Sequence, residues 1–180
     1  MKFEDTFYFK ILLQAGLTDG YDEWLDGFLE AEDPLSDIVL KLALCGSDTR
    51  ATVSCLHNYC AFQEIDEAAV CERLRLFLKD AYHTNRLSKE ETVLLMDCFA
   101  NIVGDPGDFD IDQWNDMYYM RLCYNMAQDG STTWEYFDEV FLSYLNDGVP
   151  LIAKSIYAPP KQKPAKWIDK LKQFFCKKVR

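Results

Sequence analysis

Helix caps and helix breakers recur along this chain at intervals of about 10 to 14 residues, the usual length of a globular helix. Glycines follow apolar stretches at positions 16, 46, 104 and 148, and Ser88 opens a Ser-x-x-Glu capping box. Between these signals the apolar residues have helical spacing, as at Val70, Leu74 and Phe77. No stretch of strict alternation is bounded by turn residues, so the pattern predicts helices and no strand.

The predicted fold is all-α, an irregular bundle of about eight helices in antiparallel pairs followed by an amphipathic C-terminal helix. Stacked helical hairpins are the alternative, because the joints at 82–91 and 126–135 resemble each other at an offset of 44 residues. We expect N-caps at Thr18 or Asp19, at the Asp33-Pro34 step, and at Asp48 or Thr49, and a second capping box from Thr132 to Glu135. The predicted helices cover 3–15, 21–31, 36–45, 49–60, 66–83, 89–103, 113–128 and 133–146.

Charge divides the chain unevenly. Residues 161–180 carry eight Lys and Arg against one Asp, a net +7 in a protein whose total is −11, which leaves −18 on residues 1–160. We therefore expect an acidic helical domain at 1–157, and a proline-containing connector with a basic amphipathic helix at 158–180. A body this acidic repels nucleic-acid phosphates and suits either solubility or a basic partner protein.

The basic segment forms an amphipathic pattern when it is drawn as a helix. Its apolar residues fall within an arc of about 140°, and three lysines lie opposite. Three destinations stay open for the apolar face: the protein's own body, an anionic membrane surface, and the groove of a partner protein. The apolar set is Trp167, Ile168, Leu171, Phe174, Phe175 and Val179, and the lysines are Lys166, Lys170 and Lys177.

An acidic stretch with adjacent aromatic residues is the candidate site for binding a partner. Read as a calcium loop from Asp108, it has Gln113 where the turn glycine belongs and Tyr119 where the bidentate Glu belongs. A solvated helix-capping loop or a docking patch for a cationic partner fits better, since interfaces favour aromatic anchors. The spacing of Trp114, Tyr118 and Leu122 is alternatively that of core residues. The predicted partner-binding residues are Asp105, Asp108, Asp110, Asp112, Trp114 and Asp116.

The segment from Cys55 through His57 to Cys60 suggests a metal site, but on one helix these side chains point to different sides. They cannot close a tetrahedral site without unwinding the helix, so we predict no metal ligands there. The chain contains none of the sequence motifs for phosphate-binding loops, dinucleotide-binding folds, zinc proteases or serine hydrolases. We predict no cofactor and no catalytic residues, and the sequence argues against an enzyme without excluding one.

The composition favours a reducing compartment. Seven cysteines form no even framework, and Glu4 and Asp5 interrupt the start where a signal peptide would be apolar. With 49% hydrophobic residues the chain can bury a sizeable core, yet it has no apolar run near 18 residues. We expect a cytoplasmic protein.

The segment 112–148, with the helix-turn-Ser/Thr-x-x-Glu joints before it, resembles small all-helical bacterial proteins of unknown function. Some of these resemble the immunity proteins of toxin systems, and the resemblance implies an acidic cytoplasmic protein that binds a cognate toxin. It transfers no functional residue. The sequence thus favours a non-enzymatic interaction protein, with a membrane or regulatory module acting through the basic helix as the alternative, and an uncharacterised enzyme as a further one.

Overall fold

A computed structural model describes residues 1–104 and 112–148, apart from the side chains of residues 112 and 113. These residues form eight α-helices and no strand, which confirms the all-α class. In chain order the helices are α1 (Phe3–Gln14), α2 (Tyr21–Ala31), α3 (Asp37–Cys45), α4 (Thr49–Cys60), α5 (Glu67–His83), α6 (Lys89–Val103), α7 (Asp112–Gln128) and α8 (Trp134–Asp147).

Two predicted N-caps are present. Ser88 and Glu91 form the capping box before α6: the Glu91 amide donates to Ser88 Oγ at 3.2 Å, and the Ser88 amide donates to Glu91 Oε2 at 2.8 Å. Asp48 caps α4 by accepting a hydrogen bond from the Ala51 amide at 3.0 Å. These two helix starts follow from local sequence alone.

Three predicted caps were wrong. The N-cap of α2 is Gly20, with a left-handed φ of 72°, rather than Thr18 or Asp19. The N-cap of α3 is Ser36, whose amide donates to the Glu32 carboxylate, so the helix starts after the Asp33-Pro34 step. The N-cap of α8 is Thr133, one residue later than the predicted box, and its hydroxyl accepts from the Tyr136 amide.

The helix α1 is buried around most of its circumference. Its residues 6–9 and 11–13 are all buried, and both Ile11 and Leu12 are fully so. It contacts α4, α5 and α6, and Phe9 also lies 4.7 Å from the ring of Trp24 on α2. A helix with apolar residues on all sides can satisfy them only in the interior, so α1 is the centre of the N-terminal packing.

In the second half, the most extensive helix contact joins α6 and α7, and α7 also packs on α8. Large side chains from three helices are fully buried there, including Phe99, Met117 and Phe137. The helix α5 contacts α1, α6, α7 and α8, and therefore connects this half to the first.

A stripe of basic residues on α5 binds the end of α8. Arg75 donates to the carbonyl oxygens of Tyr144 and Leu145, and Lys79 Nζ donates to that of Asn146 at 2.8 Å. His83 Nε2 lies 2.7 Å from Asn146 Oδ1. Positions 75, 79 and 83 share one face of a helix, and the last carbonyls of a helix lack partners within it. The stripe therefore supplies those partners and complements the helix dipole.

Arg75 is a buried cation, with its side chain only 7% exposed. The Glu72 carboxylate accepts from its Nε at 2.7 Å and its Nη2 at 2.5 Å, and this pairing lowers the pKa of Glu72. The guanidinium is thus compensated by one carboxylate and two carbonyl oxygens, as a buried charge requires.

The joints α5–α6 and α7–α8 have the same construction. Each has a left-handed residue in the second position after the helix, then an amide that donates to the carbonyl six residues earlier, then a hydroxyl N-cap. These residues are Asn85, Leu87 and Ser88 in the first joint and Gly130, Thr132 and Thr133 in the second. From Ser88 to Thr133 the offset is 45 residues rather than the predicted 44, because the second N-cap lies one residue later.

Candidate functional site

Two of the six predicted partner-binding residues are in the interior. Trp114 is 4% exposed and its Nε1 donates to Glu67 at 2.8 Å, so it joins the N-terminal ends of α7 and α5. Asp116 is 7% exposed. Asp105, Asp108 and Asp110 and the side chain of Asp112 lie outside the described residues, so that part of the prediction stays a prediction.

The buried polar groups near Asp116 are held in their neutral forms. Burial raises the pKa of the Cys71 thiol to about 12, although a hydrogen bond with Tyr144 acts in the opposite direction. Burial also raises the pKa of Tyr144 well above its usual value, and the charge of Asp116 adds to this. At neutral pH the Cys71 thiol is therefore protonated and has no thiolate with which to act as a nucleophile.

The predicted C-terminal helix lies outside the described residues. This applies to its apolar and its basic positions alike, and the membrane alternative that depends on them stays a prediction. The residues concerned are Lys166, Trp167, Ile168, Lys170, Leu171, Phe174, Phe175 and Lys177.

Cys55, His57 and Cys60 lie on α4 with different surroundings. Cys60 is buried, its thiol lies 3.8 Å from the carbonyl oxygen of Phe3, and burial raises its pKa to about 11. Cys55 is half-buried, and burial raises its pKa as well. His57 is exposed. Within the described parts of the chain, no three His, Cys, Asp or Glu side chains form a group that could hold a metal ion.

The helix α2 has one apolar and one acidic face. At 100° per residue its Trp24, Leu25 and Phe28 point towards one side, where Leu25 is buried and the Trp24 ring packs against α1 and lies 5.5 Å from Phe28. The opposite arc of about 140° contains four exposed carboxylates and one exposed glycine. We call it the acidic face of α2; it consists of Asp22, Glu23, Asp26, Gly27 and Glu30.

No basic residue balances this face locally. Positions 11 to 40 contain eight Asp and Glu and no Lys or Arg. Among the described residues, none of the four carboxylates is in an ion pair, whereas Asp5, Glu72, Asp80 and Asp138 on other helices each have one. Like charges four residues apart destabilise a helix by roughly 0.2–0.5 kcal/mol per pair, and Asp22, Asp26 and Glu30 form two such pairs.

Gly27 is unusual for its position in the middle of a helix. A glycine there costs about 1 kcal/mol relative to alanine. Its φ is not in the left-handed region, and a Cβ added to it would meet no heavy atom of the described structure within 4 Å. Neither backbone conformation nor packing within the described chain therefore requires a glycine at this exposed position.

The acidic face of α2 was not among the sites predicted from the sequence. The i, i+4, i+8 spacing of Asp22, Asp26 and Glu30, and the thirty positions without a cation, were visible signals. What the sequence did not supply was whether a cation from another helix pairs with these carboxylates, and none does among the described residues.

Of the described helices, none combines the length and the apolar character needed to cross a membrane. Comparisons with protein-family models, curated proteins and solved structures found no match to this chain.

Proposed function

We propose that this chain is a non-enzymatic interaction protein that binds a basic partner protein through the acidic face of α2. The observation that carries the proposal is the exposed glycine at one edge of a group of four carboxylates that have no cation from the described chain. A solvated helix face would explain the carboxylates alone, but it would not explain a glycine among them.

The charge of the face fits a cationic surface. Complementary potentials steer a partner to the site and fix its orientation, and they exclude partners of the wrong sign. Binding would also relieve the repulsion within the Asp22, Asp26 and Glu30 row, because each carboxylate gains a counter-charge.

The glycine fits close contact. Without a Cβ at Gly27, the backbone of α2 is accessible to an incoming side chain beside Glu23 and Glu30, which lie four residues before and three residues after the glycine. The planar guanidinium of an arginine suits this exposed stretch of backbone, since it can form hydrogen bonds with two carboxylates while lying flat on the helix.

The proposal takes the predicted irregular bundle of antiparallel helix pairs as the scaffold. The packing of Trp24 and Tyr21 against Phe9 supports the choice of binding surface, because this packing turns the acidic face of α2 outward. The cysteine pattern favours a cytoplasmic setting, and the resemblance to immunity proteins implies that the partner is a toxin. The acidic segment from Asp105 to Asp112 is a second candidate surface for a basic partner.

The test uses variants that separate fold stability from binding. Partners are captured with the full chain from the source cell, identified by mass spectrometry, purified, and titrated by calorimetry at two salt concentrations. We expect the triple variant Asp22→Asn, Asp26→Asn, Glu30→Gln to weaken binding at least about tenfold. We expect Gly27→Ala to weaken binding too, although alanine stabilises the helix by up to about 1 kcal/mol.

The matched control neutralises Glu90, Glu135 and Glu139, three exposed carboxylates on α6 and α8, and so makes the same change in net charge. Its binding should stay within about twofold of the unmodified protein. The proposal is overturned if the control weakens binding as much as the α2 variant, or if no captured protein depends on the α2 carboxylates.

A further inference from the structure

A surface groove of about 520 Å³ lies between α1 and α4, with Ile102 of α6 in its wall. The basic residues Lys10, Arg50 and His57 line it. Positions 10 and 14 on α1, and 50, 54 and 57 on α4, are spaced as residues on one face of a helix, so two helix faces form the two sides. The volume is in the range of small-molecule sites.

No Asp or Glu is among the described residues that line this groove, although the chain contains 30 acids against 19 basic residues. The nearest carboxylate along α4 is Asp48, which is engaged in capping the helix at the Ala51 amide. In a protein this acidic, a surface with three basic side chains and no carboxylate is a distinct electrostatic environment.

Lys10 and Arg50 also lack the counter-ions that some of the other cations have. Arg73, Arg86 and Lys89 each pair with a carboxylate, at 2.6 to 2.9 Å for the arginines and 2.5 Å for the lysine. Neither Lys10 nor Arg50 has such a pair within the described part of the chain. Neither charge is thus neutralised by a direct ion pair among the described residues.

Lys10 is anchored in place. Its side chain is half-buried, and the ammonium lies 4.8 Å from the centre of the Phe7 ring, a cation–π contact. Burial lowers its pKa, while Cys60 and Glu67 act in the opposite direction. An anion at the groove would stabilise the charged form that burial disfavours.

The rest of the lining is mixed. The amide of Gln14 and the hydroxyl of Ser54 add hydrogen-bond donors, and Leu13, Val53 and Ile102 supply apolar surface. A groove lined by several donors and by apolar side chains suits an anion with more than two acceptor oxygens attached to an apolar body.

We infer that this groove binds a small phosphomonoester with an apolar or aromatic body. Lys10 and Arg50 bind the phosphoryl oxygens, Ser54 and Gln14 complete the hydrogen bonds, and the apolar wall packs on the organic part. This site is separate from the acidic face of α2 and needs no protein partner.

The probe is phenyl phosphate, titrated into the full chain by calorimetry and by amide chemical-shift mapping. We expect shifts confined to residues of α1, α4 and the end of α6, with affinity at least about tenfold higher than for inorganic phosphate, which lacks the apolar body. Benzyl alcohol, which has the ring without the charge, should bind at least about tenfold more weakly.

Lys10→Gln and Arg50→Gln should each weaken phenyl phosphate at least about tenfold. Arg50 is exposed, so its variant remains informative even if Lys10→Gln alters folding, which circular dichroism will reveal. The matched control is Lys41→Gln, an exposed lysine on α3 with no ion pair among the described residues. Equal losses in the Lys41 and Arg50 variants, or no saturable binding of phenyl phosphate, would overturn the inference.

Discussion

Phe62 occupies the connection between α4 and α5 with its side chain fully exposed, at 105% of the reference area. Its backbone is left-handed, with a φ of 64°. A bulky residue in that region is strained, by roughly 1 kcal/mol or more, because its Cβ crowds the following carbonyl. Exposure brings no compensating packing, and nothing in the described structure explains a phenylalanine at this position.

Because of the strain at Phe62, we expect a glycine at this position to give a more stable protein than an alanine, the reverse of the usual order. Glycine adopts a positive φ freely, whereas alanine has the same Cβ as phenylalanine. We therefore expect Phe62→Gly to raise the free energy of unfolding by about 1 kcal/mol over both Phe62→Ala and the unmodified protein. Urea denaturation measures this, and a glycine variant less stable than the alanine variant would contradict it.

At the scale of elements, the helix boundaries depend on short-range interactions. Ser88 and Glu91 reach each other across one turn, so the start of α6 could be predicted from four residues. The start of α8 was predicted one residue early, because Thr132 and Thr133 are both hydroxyl residues. The conformation of the loop decides which of the two is the N-cap. The Thr132 amide donates to the carbonyl of Met126, and this hydrogen bond places Thr133 at the cap.

Paired substitutions test this assignment. Thr133→Ala should destabilise the protein by about 1 kcal/mol, because it leaves the Tyr136 amide without its side-chain acceptor. Thr132→Ala, the matched control, should cost less than about 0.5 kcal/mol. Thermal unfolding of both variants decides the question, and equal losses would show that the cap is shared.

The partner-binding surface was harder to predict from the sequence than the helices were. Trp114 and Asp116 lie in an acidic stretch that looks like surface, yet α5 and α8 cover this part of α7, and Trp114 bonds a residue 47 positions away. The helical spacing of Trp114, Tyr118 and Leu122 allowed a core position for Trp114, but local patterns do not encode its hydrogen bond to Glu67 or the burial of Asp116. Conversely, the α2 carboxylates resemble any solvated helix face in the sequence, and only the structure shows that no described cation pairs with them.

For the whole molecule, a net charge of −11 means that self-repulsion opposes the folded state. Salt screens exposed charges, with a Debye length of about 10 Å at 0.1 M. The consequence is that salt should strengthen the fold while it weakens a complex with a basic partner, so the two effects have opposite signs.

Thermal unfolding in increasing sodium chloride measures the repulsion. Between about 0.01 and 0.3 M we expect the Tm to rise by a few degrees, and we expect a smaller rise for the variant lacking the charges of Asp22, Asp26 and Glu30. At low salt that variant should melt about 2 °C higher than the unmodified protein, since two like-charge pairs are removed. Identical salt dependence in both would show that the acidic face of α2 contributes no repulsion.

The contact between Arg75 and the end of α8 also limits how early α5 can complete its packing during protein synthesis. The acceptor carbonyl of Leu145 is 70 residues further along than Arg75. At a synthesis rate of about 5–20 residues per second, the ribosome needs several seconds to deliver it. During that interval the nascent α5 exists with its guanidinium still facing water, and the helix can be enclosed only after α8 has been translated.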